Sequence, residues 1–262
     1  RGGAGFWATC AILEGVMRIG PWWIPLYTLR VTLGAALGVL WLWWAAPRRG
    51  FSRARAAGLL WSVAAMALLA ARLGYALGQP AYFRAHPADL WRLTAVGGVH
   101  GASAWLGGLL AAWIWARWAD RAPTEVWNLL APASLLVAAG AWWACLDRGC
   151  AWGRVALSSP PGWRWAVAEL PDLYHVVMPR YAVQTLGAAG ALLLLPLALG
   201  ERRCAGLAVA LYLVGAAALT HLRADPVPQL GPYRADLLLN VALALGLWGT
   251  YWRAWRARMK EE

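Results

Sequence analysis

His100 stands in Gly97-Gly98-Val99-His100-Gly101-Ala102-Ser103-Ala104-Trp105-Leu106-Gly107-Gly108, at the head of an apolar run that reaches Trp118. An imidazole titrates near neutral pH and can take or give a proton, and the small residues at 101, 104, 107 and 108 leave free volume beside the ring. Tyr27 and Arg30 are three residues apart, as are Arg72 and Tyr75; on a helix that spacing puts both members of a pair on one face. Arg148, Arg154, Arg180 and Arg223 follow in later connections. Guanidinium groups bind phosphate through paired hydrogen bonds, so these arginines and one neutral imidazole, brought together, make a site for an anionic headgroup. Each residue alone also has a plainer reading. Arg30 or Arg72 can snorkel from a segment end, His100 can be a core histidine bonded to one carbonyl, and membrane-helix glycines commonly mark close packing.

The elements that must position these groups are apolar. Of 262 residues, 61% are hydrophobic, 14% are charged and 21 are Trp, more apolar surface than one soluble core can bury. Seven segments are long enough to cross about 30 Å of hydrocarbon at roughly 20 residues each: near 22–46, 56–77, 96–116, 127–146, 185–200, 204–221 and 236–255, the fifth and sixth being short. The expected fold is an all-α integral membrane protein of about seven transmembrane helices. A charge at membrane depth costs about 2.5–3.5 kcal/mol on insertion scales, so each retained polar group asks for a reason.

Orientation follows from the arginines. Arg48, Arg49, Arg53, Arg55, Arg117, Arg121, Arg202, Arg203, Arg253, Arg256, Arg258 and Lys260 fall in short connections after alternate segments, which makes that side cytoplasmic. The N-terminus and the loop 147–184 then face outward. Residues 1–21 form an outward segment, 22–255 a single membrane domain and 256–262 a cytoplasmic tail. Residues 1–21 lack the continuous apolar core and small-residue cleavage site of a cleavable signal. The net charge of +12 reads as topology and contact with anionic lipid; no basic face on a soluble domain points to nucleic acid. Trp concentrates at segment ends, as interfacial anchoring requires. Among Cys10, Cys145, Cys150 and Cys204, only Cys145 and Cys150 are close, in CLDRGC at an outward segment end, where either a disulfide or two free thiols fits. No second pair or nearby His completes a metal site, and no metal or cofactor is expected.

Six stretches, in order, resemble the prolipoprotein diacylglyceryl transferase (Lgt) family. IGPWWIPLYTLRVTLGAALG is similar to its first segment, with Tyr27 in place of a functional tyrosine. ARLGYALGQPAYFRAHPADLWRL resembles its G-R-[IL]-G-Y stretch and following loop. TAVGGVHGASAWLGGLLAAWIWAR is similar to G-G-M-S-F-H-G-G-L-[IL]-G, with His100 in place of an essential histidine. APASLLVAAGAWWACLDRGCAWGR has the framework of G-R-[IL]-G-N-F-[IV]-N-G-E-L-[WY]-G-R, and Gly149, Trp152, Gly153 and Arg154 fit its end. PRYAVQTL resembles R-H-P-S-Q-L-Y, keeping Arg180 and Gln184. HLRADPVPQLG resembles F-F-R-x-P-D-x-Q-x-G, keeping Arg223, Pro226 and Gln229 with one residue more.

The resemblance implies a seven-helix enzyme of the bacterial cytoplasmic membrane, with its site near the outer leaflet. It implies binding of phosphatidylglycerol and a prolipoprotein signal peptide, and transfer of the diacylglyceryl group to the lipobox cysteine thiol with release of glycerol phosphate. Carried onto this chain, Tyr27, His100 and Arg154 become the catalytic residues, with the histidine helping to form the thiolate. Arg72, Arg180, Gln184, Arg223, Gly98, Gly101 and Gly153 become the phospholipid-binding residues. The departures are as specific as the matches: the signature's first Arg falls on Trp142, its first Asn on Cys145 and its Glu on Cys150, and a later functional Arg and Glu fall on Ala216 and Thr220. Two functions therefore stand: a divergent transferase, or a non-catalytic relative serving as a structural or assembly subunit of a membrane complex. A small transporter using the same arginines is a third, without the broken-helix inverted repeats that would support it.

Overall fold

A computed structural model describes residues 11–13, 16–19, 22–93, 98–158, 161–172, 174–200 and 205–260. Cys10, Gly97, Arg202, Arg203 and Cys204 lie outside the described residues, as does most of the segment 1–21. A three-stranded antiparallel sheet of β1 (Ala11–Leu13), β2 (Val16–Ile19) and β3 (Trp22–Pro25) leads into α1 (Leu26–Arg48). Next come α2 (Arg53–Gly78), the short α3 (Pro80–Ala85), α4 (Gly101–Trp118) and α5 (Pro123–Arg148). A hairpin of β4 (Val167–Pro171) and β5 (Val177–Tyr181) precedes α6 (Val183–Gly200) and α7 (Ala205–Leu219). A two-residue-strand hairpin of β6 (Gln229–Leu230) and β7 (Tyr233–Arg234) precedes α8 (Ala235–Arg258). Short connections make successive long helices antiparallel, so the starts of α1, α4, α6 and α8 share one end of the bundle with the ends of α2, α5 and α7.

The axis of the bundle is α5, which packs against α1, α4, α6, α7 and α8. Its sequence suits that place: Ala131, Ala133, Ala138, Ala139, Gly140 and Ala144 are buried, and small side chains let neighbouring backbones approach closely where hydrophobic exclusion of water does not drive association. At the α1–α5 crossing, a Cβ on Gly34 would lie 2.6 Å from the Leu136 carbonyl oxygen. At the α2–α4 crossing, one on Gly107 would lie 2.3 Å from the Met66 carbonyl oxygen. The latter contact lays the start of α4 along the last turns of α2. The other end of the bundle is tied by Asn128, whose Oδ1 accepts from the Gly206 N–H at 2.8 Å and the Tyr251 hydroxyl at 2.6 Å.

Among the described residues, five spans are long and apolar enough to cross a membrane: α1, α2, α5, α6 and residues 205–222, which comprise α7 and a following 3-10 turn. The two segments expected to be marginal, 185–200 and 204–221, are among the five. It is α4 and α8 that fall short, because Gly, Ser and Trp dilute the hydropathy of α4, while Asp236, Asn240 and the Trp248–Trp252 stretch lower that of α8. The expected fold is all-α, but short strands occur in the connections, including the loop 147–184. The first helix starts at Leu26 rather than near 22, because Trp22–Pro25 pairs with β2. The third starts at Gly101 rather than near 96.

Candidate functional site

His100 lies just ahead of the α4 N-terminus, held there by α2. Its N–H donates to the Ala71 carbonyl oxygen at 2.9 Å. Gly98 has a φ of +112°, which L side chains rarely adopt, and a Cβ there would enter the Tyr75 ring. The approach to His100 therefore requires a glycine in that position, and Tyr75 of the ARLGY stretch is what it packs on. The His100 Nδ1 is 2.7 Å from Ser103 Oγ, while its buried Nε2 has no hydrogen-bond partner among the described residues. A Cβ built on Gly101 meets nothing within 4 Å, so the space predicted beside the ring is open there.

Three of the arginines expected around a phosphate have guanidinium groups already engaged by the protein. Arg72, 3% exposed, donates to the carbonyl oxygens of Leu90 at 2.8 Å, Gly98 at 2.9 Å and Asp89. It straps the 89–98 connection to α2. Arg180, 5% exposed, pairs with Asp172 at 2.9 Å and donates to the Gly153 carbonyl oxygen at 3.3 Å. Asp172 in turn accepts from the N–H groups of Tyr174 and Val176, so this pair closes the β4–β5 hairpin. Arg223 meets Asp225 and, at 3.0 Å, Asp236. Burial disfavours its charged form, but the carboxylates of Asp225 and Asp236 outweigh burial and hold its pKa above the ordinary arginine value. Arg30 is also internal, bridging α1 to Asp147 of α5 at 3.0 Å.

Arg154 differs. Its backbone is fixed on both sides, N–H to Leu222 at 2.8 Å and carbonyl to the Tyr181 N–H at 3.1 Å, yet its side chain is exposed and has no acceptor among the described residues. Single bridges join Gly153 to Arg223 and Val155 to Arg180, and a Cβ on Gly153 would lie 2.0 Å from the Tyr181 carbonyl oxygen. Three sequence-distant connections, around 150–155, 180–184 and 220–225, are thus knitted into one layer. Gln184, 1% exposed, donates to the Cys150 carbonyl oxygen at 3.0 Å while its Oε1 has no partner among the described residues. Half-buried Tyr27 lies under the Arg148 guanidinium at 6.0 Å.

The α5 terminus explains the cysteines. Gly149 takes the left-handed conformation at φ +59° and caps the helix, which turns Cys150 back over Cys145; their Cα atoms are 4.9 Å apart and their sulfurs are bonded. Neither Cys145 nor Cys150 is then expected to react with a maleimide in the folded, unreduced protein, and both to react after reduction. Mass spectrometry of tryptic peptides reads this directly, and full labelling without reductant removes the bridge. Where the family's first signature Arg falls, the Trp142 indole donates to the Tyr212 hydroxyl at 2.7 Å and sits against Gly187 of α6. Arg223 lies over that indole at 5.9 Å. Ala216 packs against the apolar core, and fully buried Thr220 donates to the Ala217 carbonyl oxygen.

Sequence reading missed the partners of the arginines. Arg223-Ala-Asp225 and Arg234-Ala-Asp236 repeat one tripeptide, and in the fold the two copies cross-pair: Arg234 reaches Asp236 at 3.2 Å and Asp225 at 3.4 Å. The result is a closed network of two cations and two anions, with no net charge, whose field reaches His100. The doubled tripeptide was the available signal. A cleft of about 340 Å³ lies at the opposite end of α2 and α4, lined by Arg55, Trp115, Trp118, Ala119 and Asp120; it shares no residue with the His100 end. Among the described residues, no group of three or more His, Cys, Asp and Glu side chains is arranged to hold a metal ion.

Apolar helices around α5, with a polar layer and a histidine at one end, define a multi-pass membrane protein. The family model for prolipoprotein diacylglyceryl transferase matches residues 14–260, and the chain belongs to that family. No curated protein matches the sequence.

Proposed function

We propose that this chain binds an anionic phospholipid, phosphatidylglycerol by family analogy, and transfers its diacylglyceryl group to the lipobox cysteine of a prolipoprotein. The observation that carries this reading is the buried, unpartnered Nε2 of His100 at the same end as the knitted layer that fixes Arg154. An orphaned buried polar atom asks for a functional account, and a substrate oxygen supplies one. In this reading seven helices cross the bacterial cytoplasmic membrane as one domain over 22–255, with the loop 147–184 outside, the C-terminal tail inside and the site near the outer leaflet. Tyr27, His100 and Arg154 carry the chemistry. Arg154, exposed and unpaired, meets the phosphate; Arg72, Arg180, Gln184, Arg223, Gly98, Gly101 and Gly153 form the wall that orients it.

The charge count favours a second reading. Arg223 and Arg234 are balanced by Asp225 and Asp236, and Arg180 by Asp172, so two of the four arginines expected around the phosphate, Arg180 and Arg223, are neutralised. A relative that keeps the fold without turnover, as a subunit of a membrane complex, fits that neutrality. Complementation of a strain depleted of its own transferase separates the two. Growth restored by the wild-type chain is the expected result. Failure at good membrane expression, together with co-purification of other membrane subunits, establishes the alternative.

A further inference from the structure

We propose that Ser103 is a positioning residue that keeps the His100 proton on Nε2, so that the imidazole meets the lipid as a hydrogen-bond donor. The functional half of this inference rests on the transferase reading above; the tautomer does not.

The proton assignment follows from the bonds available. A serine hydroxyl has one hydrogen to donate, and a neutral imidazole has one N–H and one acceptor nitrogen. Ser103 Oγ makes one hydrogen bond among the described residues, to His100 Nδ1 at 2.7 Å. If Nδ1 carried the proton, it would donate to Oγ, and the serine hydrogen would have no acceptor in a partly buried site. If Ser103 donates to Nδ1, the hydroxyl is satisfied and the imidazole proton sits on Nε2. Nε2 has no partner among the described residues in either tautomer, so the two arrangements differ in the hydroxyl hydrogen, which only the second one pairs.

The packing of α2 holds this pair together. A Cβ on Gly74 would lie 2.1 Å from Ser103 Oγ and 3.3 Å from His100 Cβ, so only glycine leaves room for the hydroxyl at that point. One residue outside the helix and one on its first turn, i and i+3, are thereby pressed against the same turn of α2 that accepts the His100 N–H. Nε2 is occluded, so a lipid oxygen reaches it only by displacing what now covers it.

An Nε2–H cannot take the thiol proton. It can donate to the oxygen that departs from the glyceryl carbon. In that step the cysteine sulfur forms the C–S bond, the C–O bond breaks with its electron pair going to the phosphate oxygen, and the glycerol phosphate gains a second negative charge. A phosphate monoester has a second pKa near 6, so near neutral pH the departing group stays largely a dianion and the thiol proton is released to water, which closes the balance. A fixed donor aimed at the oxygen where charge develops is the general form of electrostatic catalysis. The imidazole is thus assigned to the leaving group, whereas the family resemblance implied the thiol.

The test uses the full-length protein in lipid nanodiscs with ¹⁵N-labelled histidine, the His100 signals being assigned by their loss in His100→Gln. The wild type is expected to show the Nε2–H tautomer, and Ser103→Ala, which removes the hydroxyl without adding bulk, to show a mixture of both tautomers. Gly74→Ala, which pushes Ser103 away, is expected to give the same mixture. A wild type already on the Nδ1–H tautomer, or one whose tautomer is unchanged in Ser103→Ala, overturns the assignment. In a transfer assay on phosphatidylglycerol nanodiscs, Ser103→Ala is expected to lower turnover about tenfold with little change in KM. A shifted tautomer with undiminished turnover overturns the donor role. A wild type inactive in the same assay sinks the transferase reading and with it the donor role, leaving the tautomer to stand or fall on the spectra.

Discussion

His100→Ala is expected to lower diacylglyceryl transfer by roughly 10²–10³-fold, the usual cost of removing one donor from a developing negative charge, and to abolish complementation. The same change should leave the fold nearly undisturbed. The bond from the backbone N–H of His100 to Ala71 is kept by alanine, and the loss of a buried nitrogen unpartnered among the described residues offsets the loss of the Ser103 hydroxyl's partner. The two measurements are therefore meant to part company: thermal midpoint in detergent close to wild type, transfer rate lost. A His100→Ala chain that restores growth as fully as wild type at equal membrane expression would take the imidazole out of the chemistry.

The largest effect on stability is expected at Asp236, on the first turn of α8 and 2% exposed. Its two oxygens meet Arg223 at 3.0 Å and Arg234 at 3.2 Å, and it also accepts from the Leu237 N–H. Asp236→Asn keeps that local bond but leaves two largely buried guanidinium groups sharing the single carboxylate of Asp225. Breaking a buried ion pair by removing one partner typically destabilises by about 3–5 kcal/mol, because a charge is left uncompensated. Removing Arg234 as well restores the balance, so the double variant Arg234→Met with Asp236→Asn should recover a large part of the loss, a coupling that a double-mutant cycle isolates. Thermal or denaturant unfolding in detergent reads both; an Asp236→Asn protein within about 0.5 kcal/mol of wild type would show the network to be loosely held.

The residues that the two predictions touch were not equally legible. His100 announced itself, since a titratable ring at the head of an apolar run is costly enough to ask for a reason. Asp236 did not: in Tyr233-Arg234-Ala235-Asp236 it reads as a favourable acid at a helix start, and its part in holding Arg223 depends on a carboxylate and a guanidinium thirteen positions apart. Arg30 gives the same lesson at longer range. It read as a residue able to snorkel, and in the fold it bonds Asp147, 117 positions away.

By itself, the sequence determined the helical segments, the closeness of Cys145 and Cys150 along the chain, and the grouping of His100 with the later arginine-bearing connections at one end of the bundle. These are local or periodic properties, because apolar run length, cysteine spacing and alternation of short connections are written along the chain. The tertiary structure alone decided which arginines remain free. Arg72, Arg180 and Arg223 have the same chemistry as Arg154, but the first is engaged by loop carbonyls, the next two by Asp172, Asp225 and Asp236, and of these four only Arg154 projects an exposed guanidinium unpaired among the described residues. Ion-pair choice is set by distances of a few ångströms between segments that the helix period does not relate. The same side chain is therefore a ligand or a strut according to what the fold places opposite it.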